Sequence, residues 1–159
     1  NLSIQMVYLQ ATEAKFHNDF EPTIPDQQLI AQFNITTLSC VKKEFKDDKE
    51  NTQSILRYQT EARMRYILGP IDETQKQDTE NPNRFDNLIA AEIIAVFSSE
   101  YSIKNNTDLS EDAVYEFGRL NVPHQIWPYW REYCQSTCAR MSLPVSILPM
   151  YSINKSTSD

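Results

Sequence analysis

Hydrophobic and polar residues alternate with a two-residue period in four long stretches of the chain, and this alternation predicts four β-strands. The predicted strands cover residues 2–14, 29–45, 54–68 and 88–103. In the third strand one face is mainly apolar and the other is charged or polar, as expected of a half-buried antiparallel strand. The predicted inner positions of that strand are Leu56, Tyr58, Thr60, Ala62, Met64, Tyr66 and Leu68.

The other strands complete one sheet. The inner face of the first strand is predicted to carry Leu2, Ile4, Met6 and Tyr8. The fourth strand is apolar on both faces and therefore needs cover on both sides. The connections between strands are polar and marked by proline. We predict a single α+β domain over residues 1–159, with a four-stranded antiparallel sheet in meander order and helices packed on one face.

Two helices are predicted after the last strand, over residues 109–118 and 127–141. The first begins at a capping box in which Asp108 accepts a hydrogen bond from the backbone amide of Glu111. The second begins at Pro128, because a proline in the first turn lacks only an N–H that has no helical partner. Its apolar stripe faces either the chain's own sheet or a partner subunit. The stripe consists of Trp127, Trp130, Cys134, Cys138 and Met141. Residues 152–159 are predicted to be a solvated tail.

The second helix opens with the motif Trp127-Pro128-Tyr129-Trp130-Arg131-Glu132-Tyr133, and Leu143-Pro144 follows it. This order resembles the signature half of the bacterial export chaperone SecB, in which an aromatic-Pro-Tyr-x-Arg-Glu motif opens the main helix and a Phe-Pro pair follows. The resemblance covers mainly the last third of the chain. It implies a homotetramer, built as a dimer of dimers, whose helices lie between two layers of sheet and whose unfolded clients bind in apolar surface grooves.

Two sets of site residues follow from this resemblance. The expected client-binding residues are Phe33, Ile35, Trp127, Leu143, Val145, Ile147, Leu148 and Met150. The expected oligomer interface consists of Trp130, Cys134, Cys138 and Met141. Aromatic and methionine side chains of this kind adapt to varied partners, although ordinary core or a subunit interface would use part of the same cluster.

The composition of the chain limits the other possible functions. A chain of 159 residues, 40% of them hydrophobic, suits one well-cored domain. The net charge of -7 argues against nucleic acid as a partner. The two glycines are too few for a phosphate-binding loop. No run of about 18 apolar residues occurs, so no membrane insertion is expected. Three cysteines make no disulfide framework, which fits a reducing cytoplasm.

Cysteine and histidine are the residues that could carry catalysis or bind a metal. Cys134 and Cys138 are four residues apart on a predicted helix, with His124 nearby, but a structural zinc site usually needs four ligands. We therefore predict that both cysteines are small buried hydrophobic residues. A cysteine–histidine nucleophile pair would lack a recognisable oxyanion turn and third residue. No enzyme activity, metal or cofactor is expected.

The sequence thus predicts a cytoplasmic, ATP-independent holdase that binds unfolded polypeptides during protein folding or transport. Two alternatives stay open: a dedicated SecB-like chaperone for one client, such as an antitoxin, and a non-chaperone interaction domain on the same fold. In the SecB family an acidic pair near the first strand helps to dock the SecA motor. Ala11 and Lys15 occupy those positions here, so SecA is a doubtful partner.

Overall fold

The computed structural model of the protein describes residues 2–46, 48–71, 83–104, 107–145 and 148. Its strands are β1 (Leu2–Phe16), β2 (Leu29–Lys46), β3 (Thr52–Leu68) and β4 (Ile89–Ile103). A short 3-10 helix, Asp86–Leu88, precedes β4, and the long helix α1 (Glu111–Arg140) follows it. All strand pairs are antiparallel and α1 packs on one face of the sheet, so the predicted α+β class is confirmed.

The strands lie in the order β1-β4-β3-β2, which is not the predicted meander. β2, β3 and β4 follow one another, but β1 pairs with β4, and residues 17–28 carry the chain to the far edge of the sheet. This order places the two strands with the most buried side chains, β3 and β4, in the centre. A meander would have left β4 at an edge, where its two apolar faces would bury less surface.

β1 contains two irregularities of register that reverse its alternation. Ile4 lies opposite Tyr101, which is fully buried under the helix, but after a register shift Met6 lies opposite Glu100 on the open face. One extra residue in a strand moves every following side chain to the other face. The predicted common face for Leu2, Ile4, Met6 and Tyr8 is therefore wrong beyond Ile4.

α1 is one continuous helix of 30 residues, not the two helices predicted over residues 109–118 and 127–141. Pro123 and Pro128 both lie inside it. A proline costs about 3 kcal/mol in a helix interior, because it removes a backbone donor and its ring clashes with the preceding turn. The residues between and beside the prolines, including Val122, Ile126 and Trp127, are buried against the sheet. Burial of this surface keeps the helix intact across both prolines.

Local hydrogen bonds define both ends of α1. Ser110, and not Asp108, caps the N-terminus, since its hydroxyl accepts a hydrogen bond from the Ala113 amide at 3.2 Å. At the C-terminus the Leu143 amide donates to the Cys138 carbonyl at 3.0 Å, and Ser142 adopts a left-handed φ of 55°. This Schellman-type turn directs the chain back towards the sheet.

Three side-chain hydrogen bonds hold the N-terminal half of α1 on the sheet. They are Thr37 Oγ1 to the Gly118 carbonyl (2.7 Å), Tyr58 OH to the Val114 carbonyl (2.9 Å) and Tyr101 OH to Gln125 Oε1 (2.7 Å). The three donors lie on different strands. They therefore fix both the height and the direction of this half of the helix above β2, β3 and β4.

Gly118 sets the distance between α1 and the sheet. A Cβ atom at this position would lie 2.8 Å from Cε1 of Tyr58, a ring that is 1% exposed and hydrogen-bonded. We predict that Gly118→Ala destabilises the protein by about 1–3 kcal/mol through overpacking, although alanine has the better helix propensity by up to about 1 kcal/mol. Urea unfolding measures the change, with the exposed Asn121→Ala as control. A stabilised Gly118→Ala variant would contradict the close contact.

Candidate functional site

A groove lies between the edge strand β2 and the N-terminal half of α1, and we call it the β2 groove. Its volume is about 340 Å³. It is lined by Ile35, Thr36, Thr37, Leu38, Ser39 and Cys40 from β2, by Tyr58 from β3, and by Val114, Tyr115, Gly118, Arg119 and Pro123 from α1. Because β2 has a neighbouring strand on one side only, the groove lies directly beside an unpaired strand edge.

A bulge in β2 contributes one wall of this groove. The register with β3 shifts between Thr37 and Ser39, so Leu38 is the extra residue. A bulge bends the strand and redirects a side chain. Leu38 is 55% exposed, and Tyr115, on the helix side of the groove, is 68% exposed. Two large side chains therefore face solvent at the mouth of the groove.

The floor of the β2 groove is uncharged. Burial raises the pKa of the Cys40 thiol, and burial also raises the pKa of the Tyr58 hydroxyl. At the rim, Arg119 binds Glu116 at 2.8 Å, and this hydrogen bond lowers the pKa of the Glu116 carboxyl. A neutral floor with a balanced ion pair at the rim favours apolar ligands over strongly charged ones.

Exposed apolar side chains occur along β2 before and after the groove, but the bulge places the two sets on different faces of the sheet. Phe33 is 46% exposed, and its ring packs edge-on against Trp127 with 6.0 Å between centroids. Val41 and Phe45, beyond the bulge, are 50% and 45% exposed, and they lie opposite Arg57 and Gln53 on the other face of the sheet. From Phe33 to Phe45 the strand extends about 40 Å at the usual rise per residue. This length would accommodate an extended segment of a dozen residues.

The predicted client-binding residues fall into three groups. Ile35 lines the β2 groove, whereas Phe33 lies two residues before it on β2, with its ring against Trp127, which is 6% exposed. Leu143 and Leu148 are instead buried in the core, at 5% and 1% exposure, because the chain turns back onto the sheet after α1. The remaining predicted residues are Val145, which is 52% exposed, and Ile147 and Met150, which lie outside the described residues.

Leu38 and Tyr115 were not predicted as site residues. Strict alternation along β2 places Leu38 on the face opposite Phe33 and Ile35, and only the bulge brings it to the groove. Tyr115 follows acidic residues in the first turn of the helix, where nothing in the sequence distinguishes it from a solvated side chain. Its proximity to β2 depends on the close approach of α1 at Gly118.

The residues predicted to form an oligomer interface face the chain's own sheet instead. Trp130, Cys134 and Cys138 are 0%, 1% and 1% exposed within a single chain. Met141 is partly buried and packs against the same core. Side chains without accessible surface cannot contact another subunit. The apolar stripe on α1 therefore holds the helix on β3 and β4. Of the two alternatives that its periodicity left open, it packs on the chain's own sheet and not on a partner subunit.

A second groove of about 450 Å³ lies at the opposite edge of the sheet, between β1 and α1. It is lined by Val7, Tyr8, Leu9, Phe97, Pro128, Tyr129, Glu132 and Tyr133. β1 also carries four exposed large apolar side chains, Ile4, Met6, Leu9 and Phe16. Exposed apolar surface is thus concentrated at both edges of the sheet, beside backbone that has no neighbouring strand.

The described part of the chain contains no group of three histidine, cysteine, aspartate or glutamate side chains placed to hold a metal ion. Within the same residues, no helix has the long apolar run that crossing a membrane requires.

No protein-family model and no curated protein matches the sequence of this chain. Its fold, however, is similar to that of a solved SecB-like chaperone, Rv1957 of Mycobacterium tuberculosis, in complex with a ChAD peptide from the Rv1956 HigA1 antitoxin. The TM-score is 0.60 at 17% sequence identity, over 95% of this chain and 91% of that chain. At this identity the similarity shows the fold.

Proposed function

We propose that this protein is an ATP-independent, SecB-like chaperone that holds unfolded polypeptides in the β2 groove. The observation that carries the proposal is a neutral apolar groove directly beside an unpaired strand edge. The fold shared with a SecB-like chaperone supports it, because that neighbour is also a peptide-binding protein. Binding and release of this kind require no covalent bond to be made or broken.

An extended client can bind to β2 as an added strand. Main-chain hydrogen bonds then supply affinity that is independent of the client's sequence. Successive side chains of the client point to opposite faces, so every second one would enter the groove between Leu38 and Tyr115. Folded proteins are excluded, since their backbone groups are already paired and their apolar side chains are mostly buried.

The direct test is the aggregation of a chemically unfolded protein after dilution from denaturant. Equimolar chaperone is expected to suppress light scattering without added nucleotide, and a labelled unfolded peptide should bind with a Kd in the micromolar range or tighter. Scattering that is unchanged at a severalfold excess of this protein would contradict the proposal.

A dedicated chaperone for one client is the second candidate function, and the antitoxin peptide bound to the structural neighbour favours it. A dedicated chaperone discriminates between sequences of equal apolar content, whereas a general holdase does not. A natural client segment that binds at least about tenfold tighter than its scrambled version, a difference of about 1.4 kcal/mol, would identify the dedicated role.

Assembly into a tetramer, as a dimer of dimers, is the third part of the proposal. Its support is the exposed apolar surface of β1 together with the unpaired edge of that strand. Covering one edge with another copy would remove a site of aggregation and leave the β2 groove open to clients. Light scattering that gives a monomeric mass across micromolar concentrations would contradict the tetramer.

We predict that the SecA tail binds this protein weakly. The resemblance to SecB implies acidic docking side chains at positions held here by Ala11 and Lys15. Lys15 also binds Glu13 at 2.6 Å and neutralises the nearest carboxylate on β1. Calorimetry should show stronger, salt-sensitive binding for Ala11→Asp with Lys15→Glu than for the unaltered chain. Equal binding by both proteins would contradict this prediction and favour a general export role.

A further inference from the structure

A row of hydrogen-bonded polar side chains crosses the open face of the sheet, the face that α1 does not cover. Ser39 Oγ on β2 donates to Gln59 Oε1 on β3 at 3.0 Å, and Gln59 Nε2 donates to Gln10 Oε1 on β1 at 3.0 Å. The same Gln10 oxygen accepts from Ser98 Oγ on β4 at 2.6 Å. We call these four side chains the polar row. It connects all four strands of the sheet.

The polar row begins and ends at a β-bulge. Gln10 is the extra residue of β1, where the register with β4 shifts between Leu9 and Ala11. Ser39 directly follows Leu38, the extra residue of β2. An extra residue is left out of the ladder of paired residues, so the ladder alone fixes its place in the strand only weakly. Side-chain contacts therefore have to fix the position of each bulge.

Two hydrogen bonds on opposite faces of the sheet hold β2 on either side of Leu38. On the helix face, Thr37 Oγ1 donates to the Gly118 carbonyl at 2.7 Å. On the open face, Ser39 donates to Gln59. Residues two apart on a regular strand point to the same face, so both bonds form together only with a bulge between them. This pair of bonds therefore keeps Leu38 at the mouth of the β2 groove.

Gln10 holds the Gln59 carboxamide in the orientation that Ser39 requires. A glutamine side chain has several rotamers, and restricting it to one costs entropy. Here both ends of the Gln59 carboxamide are bound, the oxygen by Ser39 and the nitrogen by Gln10. Gln10 is fixed in turn by Ser98, which is 0% exposed. A side chain on β1 thus acts on β2 across three strand spacings, or about 14 Å.

We infer that Gln59 and Gln10 are positioning residues for the β2 groove. Neither side chain lines the groove, and both act on it through Ser39 and Leu38. Without the polar row the bulge can move along β2, and Leu38 then leaves the mouth of the groove. Apparent affinity falls with the fraction of chains that keep the binding conformation. The effect on clients rests on the proposed function, whereas the position of the bulge does not.

The variants Gln59→Met and Gln10→Met test this inference, because methionine is similar in length and makes only weak hydrogen bonds. A net hydrogen bond shifts an equilibrium by about two- to tenfold. The Kd for a labelled unfolded peptide is therefore expected to rise at least about threefold in each variant, with the larger rise in Gln59→Met. Gln5→Met is the matched control and should bind as the parent does. Gln5 is the other bulge residue of β1, and it binds Ser102 without reaching β2.

A rescue experiment separates positioning from a general loss of packing. Gln59→Glu alone should weaken peptide binding, because a carboxylate accepts from Ser39 but cannot donate to Gln10. Adding Gln10→Lys supplies a donor to that carboxylate and should restore the affinity at least in part. A double variant that binds no better than Gln59→Glu alone would contradict the inference.

Nuclear magnetic resonance of the chain without peptide measures the position of the bulge directly. Nuclear Overhauser contacts between facing residues should place Ser39 opposite Gln59 in the parent, with Leu38 as the extra residue. Gln59→Met and Gln10→Met are expected to show a second set of signals for residues 37–40. An unchanged bulge in both variants would overturn the inference, as would an equal loss of affinity in Gln5→Met. If the parent binds no peptide, the proposed function fails and the resonance measurement still decides the role of the polar row.

Discussion

The double variant Leu38→Glu, Tyr115→Glu is expected to bind unfolded polypeptides at least about tenfold more weakly than the parent, which corresponds to about 1.4 kcal/mol or more. Both side chains line the mouth of the β2 groove and are largely exposed, so their replacement leaves the core of the chain intact. Two carboxylates there would have to be desolvated when an apolar client side chain enters. Fluorescence anisotropy with a labelled unfolded peptide measures the loss.

The matched control changes the other edge of the sheet. Met6 is an exposed strand residue and Tyr129 an exposed helix aromatic, at 54% and 49% exposure, and Tyr129 lines the second groove, between β1 and α1. Met6→Glu with Tyr129→Glu adds the same charge at similar exposure but should leave peptide affinity within about twofold, since changes at positions without a role are usually small. If the control variant lost peptide affinity while the Leu38 and Tyr115 variant kept it, the client site would be at β1 and not at the β2 groove.

Trp130→Ala is expected to cost about 3–5 kcal/mol of unfolding free energy, as for other large buried aromatic residues. Trp130 is fully buried within one chain, between the helix and the sheet. Since a typical domain is stable by about 5–15 kcal/mol, this loss is a large part of the total. Urea unfolding followed by circular dichroism measures it.

The adjacent residue provides the control for this prediction. Tyr129 lies one position earlier on α1 but is 49% exposed, so Tyr129→Ala should change stability by no more than about 0.5 kcal/mol. The alternative, that Trp130 belongs to a subunit interface, makes a different prediction. A Trp130→Ala chain that kept its stability but lost half of its assembled mass would contradict the burial of this side chain within one chain.

The periodicity of the strands predicted most of the sheet. Tyr58, Ala62, Met64, Ile93 and Ala95 are buried under α1 as their alternation requires. What alternation could not predict is the position of the bulges. A bulge adds one residue without changing composition, so the reversal after Ile4 and the extrusion of Leu38 have no clear signature in a single sequence.

The sequence predicts two helices where the structure has one, because proline and glycine are strong local signals for a helix end. Gly118, Pro123 and Pro128 each argue for an end or a start, and local propensity favours a break. The structure shows that tertiary packing overrides it, since Ile126 and Trp127 are buried on a continuous helix. The same packing explains why the apolar stripe lies on the chain's own sheet.

The candidate site was predicted only in part. Phe33 and Ile35 were expected from the resemblance to SecB; Ile35 lines the β2 groove, and Phe33 lies two residues before it on β2. Leu143 and Leu148 were expected there as well but contribute to the core, because the turn at Ser142 sends the chain back onto the sheet. Sites assembled from an edge strand and a distant helix depend on topology, and the meander order predicted here was wrong.

Hydrogen exchange of the β2 amides tests most directly whether unfolded chains bind as an added strand. In an antiparallel pair every second residue directs its N–H away from the neighbouring strand, so half of the β2 amides point outward from the sheet. Saturation with an unfolded peptide is expected to slow exchange of these outward amides between Phe33 and Val41 by at least about tenfold, while the outward amides of β1 keep their rates. Protection confined to β1 or to α1, with β2 unchanged, would contradict binding at the β2 edge.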